Sequence, residues 1–394
     1  MTQPVEDTVT DEALVLDVLT PRRNGPGMKR AGGILPGHEI AVLAANGAIT
    51  AERPLVDGQI QPASLDLRLG ARAWRVRASF LPGPHRKVAE CLPTLNAHAI
   101  DLDNEQGAVL ERNCVYIAEI EESLALSSSL AAAANPKSST GRLDVFTRVI
   151  TDRADRFDLI KPGYAGKLYA EVSPRTFPVL ARRGSRLAQL RLRTGEARLD
   201  DDELAELHAR ETLVAGLNPS FATGIAVSVD LAGTNASTVI GYRAKNHTGL
   251  IDVDRADAYE VGDFWEALTA PDRTLVLDPD QFYILASREA VHVPPDYAAE
   301  MMPFDPLVGE FRVHYAGFFD PGFGHAAAGG HGSRAVLEVR SRDVPFILED
   351  GQTVARLVYE RLSARPKSLY GSDLGSHYQA QGLKLSKHFR AHAA

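Results

Sequence analysis

The feature that most constrains this chain is a repeat of itself. Ser64-Leu65-Asp66-Leu67 returns as Ser228-Val229-Asp230-Leu231, and Pro162-Gly163-Tyr164 as Pro321-Gly322-Phe323. Leu168-Tyr169-Ala170-Glu171-Val172 returns as Ala335-Val336-Leu337-Glu338-Val339, and Gly184, Ala188 and Leu190 as Gly351, Ala355 and Leu357. Glu171 and the last three positions share one offset of 167 residues. A single echo says little, but several in the same order argue for internal duplication. The repeated pieces are short alternating runs closed by Gly and Pro. That pattern suits sandwich or barrel-like lobes better than helical ones.

A length of 394 residues accommodates two medium domains. Residues 1–33 read as a polar, Gly/Pro-containing leader, and 34–198 as the first lobe. Pro36 opens a short helix through about Ala45, stopped near Asn46-Gly47. Short strands follow, among them Ser64–Leu69, Val115–Ile120 and Leu168–Val172. The clearest helix lies between about Asp200 and Ala215, acidic at its start as the helix dipole favours, and 199–216 reads as the interlobe boundary. The second lobe then spans 217–364 and a tail 365–394.

Net charge is −8, which disfavours non-specific nucleic-acid binding but leaves room for one polyphosphate on a local Lys/Arg cluster. No apolar run approaches the ~18–20 residues that span a membrane. The N-terminus lacks a basic-then-apolar signal pattern, so the expected location is the cytoplasm, with no membrane partner. Cys91 and Cys114 are the two cysteines and form no C-x-x-C pair, which argues against a structural disulfide and a Cys-rich zinc site.

The run Pro136-Lys137-Ser138-Ser139-Thr140-Gly141-Arg142-Leu143 concentrates two cations and several hydroxyls. Such a set can hold phosphate and orient a water, with backbone amides near Gly141 approaching closely. Taken alone it reads first as a surface turn, and it lacks P-loop spacing. Glu171 is a general base only if it faces a pocket, and otherwise an outward-facing strand residue. Its recurrence as Glu338 weighs against the second reading.

Gln59-Ile60-Gln61-Pro62-Ala63-Ser64-Leu65-Asp66-Leu67-Arg68-Leu69-Gly70, the Ser-Ser-x-x-Arg run and the strand glutamate resemble the motifs of the dCTP deaminases, a branch of the trimeric dUTPase-like superfamily. The resemblance covers most of 35–195 and the tail from about 365, and matches a long, duplicated-lobe type. It implies a mainly β fold: two tandem dUTPase-like lobes (β-clip, distorted barrel or jelly-roll) with a few short helices. By match, Ser138, Arg142 and Glu171 form the reaction centre. Lys137, Ser139, Thr151, Arg153, Asp158, Tyr370, His377, Tyr378 and Gln381 contact the nucleotide. It further implies dCTP as substrate, dUTP and ammonia as products, and Mg²⁺ carried by the triphosphate rather than bound by protein ligands. A homo-oligomer built on a trimer and dTTP feedback belong to the same picture. Family zinc is not expected, and the H-x-E and P-C-x-x-C pair of zinc nucleobase deaminases is missing from this sequence.

The chain departs from the family pattern in three places. His377 stands where the family's tail has lysine, and Thr151–Lys161 is longer than the compact family loop. The second lobe carries Asp305 and Gly309-Glu310 near the counterparts of Ser138 and Arg142, so its own centre is expected to be lost. In the family the Ser and Arg come from one subunit and the Glu from its neighbour. Which lobe or chain completes each site here stays open. So do a dUTPase, a bifunctional enzyme that goes on to dUMP, and a non-catalytic nucleotide-binding β module.

Overall fold

The computed structural model describes residues 32–215, 219–233, 238–303, 311–314, 317–341, 343–371, 374–375 and 382–390, with 303, 311–314 and 374–375 described by backbone alone. The structure is mainly β. The first-lobe sheet runs in the order Val145–Thr151, Ala165–Pro174, Val115–Ala125, Leu65–Val76, Arg186–Thr194, Leu130–Pro136. The second lobe repeats its centre as Phe311–His314, Ser333–Ser341, Phe282–Val291, and its other half as Ile225–Ser228, Thr353–Arg361, Tyr297–Pro303.

The duplication is exact enough to be read in strand register. Glu171 pairs with Ile117, and Glu338 with Ile284. Leu190 pairs with Ala134, and Leu357 with Met301. Each residue of the first pair lies 167 positions before its counterpart. On the other side, Glu171 pairs with Arg148 and Glu338 with His314, one residue short of that offset.

The interior of the first lobe extends across the boundary, while the second lobe keeps a core of its own. The largest apolar cluster takes Leu65, Val149 and Val172 from the first lobe and Ile251, Trp265, Ile284 and Phe389 from beyond it. Val179–Ala181 pairs in parallel with Ile251–Asp252 across the boundary. Two buried arginines cross as well. Arg191 donates to Ala299 O at 3.1 Å and to Phe319 O at 3.3 Å, with Asp320 and Glu360 each 3.3 Å away. Arg340 meets the Asp144 carboxylate and donates to Thr176 Oγ1 at 3.0 Å. Breaking such a pair leaves a buried charge uncompensated and costs ~3–5 kcal/mol.

Local chemistry explains the short helices. Pro36 precedes the helix Gly37–Ala45, which ends where Gly47 takes φ 76°. The helix Asp201–Arg210 opens on a capping box, with Asp200 accepting from Glu203 N–H at 2.9 Å and Glu203 from Asp200 N–H at 3.0 Å. It buries Leu204 and Leu207 in the second-lobe core. It is shorter than expected, because Val214–Ala215 is drawn into a strand against Val291 and Ala290. At the other end Gly33, assigned to the leader, pairs with Thr194. The period-two run after Ser64 also hides both its faces: Asp66 and Arg68 are buried, Arg68 lying 2.8 Å from Glu122. Among the described residues no helix is long and apolar enough to cross a membrane.

Candidate active site

The Lys137–Arg142 run forms a single helical turn at the end of Leu130–Pro136. Lys137 N–H donates to Leu187 O at 2.9 Å, anchoring the turn to the neighbouring strand. The N–H groups of Thr140 and Gly141 both donate to Lys137 O, so the Gly141 amide serves the turn itself, not a phosphate. Asp144 follows in the left-handed region at φ 55°, a conformation that costs roughly 1–2 kcal/mol. Thr176 Oγ1 donating at 2.6 Å, and Arg340, hold it there. The bend turns Arg142 inward, leaving it 3% exposed. Arg142 Nη1 donates to Lys384 O at 3.0 Å, and its Nε lies 4.0 Å from Glu338 Oε1 of the second lobe.

Cations gather beside this turn. The Lys137 ammonium meets Asp66 Oδ2, and Arg186 Nη1 lies 3.4 Å from the same oxygen. Lys387 completes the group: burial lowers its pKa, and Lys137 and Arg186 lower it further. Asp66 Oδ1 is buried without a hydrogen-bond partner among the described residues. From the second lobe, Asp320 feels both Asp66 and Lys137, and burial pushes its carboxyl up.

The two repeated carboxylates have different surroundings. Glu171 is buried against Arg148, whose Nη2 and Nε donate to Oε1 at 2.6 and 3.2 Å. That guanidinium lies 3.4 Å from the Phe157 ring centre and 4.7 Å from that of Phe146, and donates to Ser79 Oγ at 3.0 Å. Asp158 belongs to this group: burial pushes its pKa up to about 7, with Glu171 adding and Arg148 opposing. Glu338, 6% exposed, lies against Arg142. Burial pushes it up to about 8, against the pull of Arg142 and helped by Asp144.

The structure thus sets Arg142, from the turn that also carries Lys137 and Ser138, beside Glu338, and sets Glu171 with Arg148 and Asp158. Thr151 is buried at a strand end opposite Leu168, and Arg153 sits exposed in the following turn. Ser139 offers its carbonyl to Ser386 Oγ at 2.7 Å, which seats the C-terminal stretch on the turn within the same chain. His388 Nε2 lies 2.9 Å from Val253 O, and Phe389 packs against Tyr259, Phe264 and Trp265. Tyr370 packs 5.8 Å from Phe323 and donates from its N–H to Pro321 O. His377, Tyr378 and Gln381, and the second-lobe Asp305, Gly309 and Glu310, lie outside the described residues. Sequence reading missed Arg148, Asp320, Arg186 and Lys387. Asp320 had a signal: it precedes Pro321-Gly322 where Lys161 precedes Pro162-Gly163.

Comparison with known proteins gives a consistent picture. Residues 31–196 match the family model described as 2'-deoxycytidine 5'-triphosphate deaminase (DCD) N-terminal domain, and 200–389 match the C-terminal domain of the same family. A crystal structure of 2'-deoxycytidine 5'-triphosphate deaminase from Agrobacterium tumefaciens is 61% identical, with a TM-score of 0.83 over 88% of this chain and 100% of that one. Among curated relatives, "dCTP deaminase, dUMP-forming" of Beutenbergia cavernae is 33% identical over 114 residues, 28% of this chain and 56% of that protein. The protein of the same name from Kocuria rhizophila is 35% identical over 116 residues, again 28% and 56%. The matched stretch therefore spans little more than half the length of these curated relatives.

Proposed function

The chain belongs to the dCTP deaminase family, and on that footing we propose that it hydrolyses dCTP to dUTP and ammonia. One observation carries the reading: a buried arginine–carboxylate pair, Arg142 and Glu338, adjoins a cluster of three cations, Lys137, Arg186 and Lys387. The first suits chemistry on a base, and the second a polyphosphate.

A carboxylate takes one proton from water while the resulting hydroxide forms a C–O bond at C4 of cytosine, and the proton passes to N3. The tetrahedral centre then gives its hydroxyl proton, through the same carboxyl group, to the amino group. The C4–N bond breaks, ammonia leaves and the carbonyl of uracil remains. Ser138 orients the water, and Arg142 stabilises the charge that develops on oxygen. Lys137 and Ser139 flank the phosphate end, and Tyr370, His377, Tyr378 and Gln381 cover the nucleotide.

Mg²⁺ is part of this proposal as an ion borne by the triphosphate. The donor set fits that arrangement: around Asp66 stand Lys137, Arg186 and Lys387, groups that pair with phosphate oxygens rather than with a cation. When bound, the ion lowers the phosphate charge that the site must accept. A trimer or a multiple of one, and inhibition by dTTP, belong to the same reading and are open to light scattering and inhibitor titration.

The test is incubation with dCTP and Mg²⁺, with ammonia measured and nucleotides separated by anion exchange. Stoichiometric dUTP and ammonia are expected. The name dUMP-forming borne by the two relatives above favours a second reading, a bifunctional enzyme, for which dUMP and pyrophosphate would accumulate. Unchanged dCTP would sink both.

A further inference from the structure

We infer that Glu338 of the second lobe, not Glu171 of the first, is the carboxylate that activates water, so that each chain builds one reaction centre across its own two lobes. The inference rests on the deaminase reading and names the group that performs its central step.

Geometry supplies the first argument. Arg142 is buried at the lobe boundary with its Nε 4.0 Å from Glu338 Oε1. Two cross-lobe locks flank that contact and fix its register. Asp144, two residues after Arg142, meets Arg340, two residues after Glu338. Farther along the same boundary, Arg191 reaches Asp320 and Glu360. Glu338 cannot leave the Ser138–Arg142 turn without breaking pairs that are themselves buried.

The second argument comes from Glu171. Its Oε1 accepts two hydrogen bonds from Arg148, and the guanidinium is held by Phe157, Phe146 and Ser79. Ser79 introduces a segment whose Phe80, Leu81, Val88 and Leu92 pack over Ile117, Ile150 and Tyr169 on that face of the sheet. The first lobe has thus filled the surroundings of its own carboxylate with an arginine and apolar cover. A carboxylate oxygen bound twice by an arginine already spends its acceptor capacity on that partner, which leaves less of it for a water. In the second lobe the strand partner of the carboxylate is His314, where the first has Arg148.

The two lobes have lost complementary halves. The second carries Asp305 and Gly309-Glu310 near the positions of Ser138 and Arg142. What remains is the Ser–Arg turn of the first lobe and the glutamate of the second, and the fold sets Arg142 beside Glu338. Glu338 takes the proton from water as its oxygen adds to C4, and returns a proton to the departing ammonia. Burial that favours the protonated form near neutral pH suits a group that must both accept and deliver.

The test compares Glu338→Gln and Glu171→Gln with wild type, measuring kcat and the Kd for dCTP with Mg²⁺. Glu338→Gln should lose ~100-fold or more in kcat while Kd stays within a few-fold, as removal of a general base requires. Glu171→Gln should lose less than tenfold, reflecting the repacking of Arg148. A loss in Glu171→Gln as large as that in Glu338→Gln, or larger, overturns the inference. Wild type that leaves dCTP unchanged refutes the deaminase reading alone. In that case, or if a variant fails to fold, amide exchange on wild type with dCTP and Mg²⁺ decides the location. Added protection at 138–142 together with 333–341 supports the inference, and protection at 165–174 instead overturns it.

Discussion

Replacing Glu338 by Gln should stabilise the protein at alkaline pH, and the size of the effect follows from its environment. Burial raises the Glu338 pKa from the ordinary 4.5 to about 8, opposed by Arg142 and reinforced by Asp144. Arg340, on the same strand, is paired with Asp144, and His314 is the partner residue on the adjacent strand. A carboxyl whose folded pKa lies above its unfolded one binds a proton more tightly when folded. Its contribution to stability is complete below the unfolded pKa and declines as pH rises to the folded pKa. Each pKa unit corresponds to ~1.4 kcal/mol, so wild type forfeits on the order of 3–5 kcal/mol across that interval. Gln keeps the shape and does not titrate. Urea denaturation of both proteins from about pH 5 to about pH 9 should show the variant gaining steadily on wild type, with the gap level above about pH 8. A difference that does not move with pH would refute the argument that Glu338 is buried beside Arg142, and a gap that widens toward acid would reverse its sign.

Two other predictions follow from the lobe boundary and the cation cluster. Arg191→Met strands Asp320, Glu360 and two carbonyls in the interior and should cost ~3–5 kcal/mol in urea denaturation, whereas a loss below ~1 kcal/mol would mean that the lobes do not depend on that lock. Lys137→Met should raise KM for dCTP on the order of 10–100-fold and change kcat much less, since a charge-assisted bond to phosphate is worth ~1.5–3 kcal/mol; a variant that loses kcat alone would place Lys137 at the reacting base.

The sequence made the duplication legible because strand register preserves it: Glu171, Leu190 and their partners Ile117 and Ala134 recur at one offset. Pro36 and Gly47 marked a helix because fixed and positive φ values are local properties. The interlobe helix was read too long, since Val214 is claimed by a distant strand partner, which no local propensity reveals. The alternation from Ser64 to Leu69 marked a strand but not its surroundings: Asp66 and Arg68 are both buried, each with an oppositely charged partner from elsewhere in the chain. The site shows the same limit. Its residue types were readable one by one, but the choice between Glu171 and Glu338 depends on how two lobes dock, 196 residues separating Arg142 from Glu338. Arg148 beside Glu171 was visible only once the strands were in register.

The most direct test of a centre assembled within one chain is complementation. Ser138→Ala and Glu338→Gln chains, each defective, would be co-expressed with different tags, and ammonia release from dCTP measured on material purified through both. With Ser138, Arg142 and Glu338 acting in the same chain, mixed assemblies should be no more active than the separate variants. Recovery of a substantial fraction of wild-type turnover would mean that one chain supplies the glutamate to another, contradicting the account.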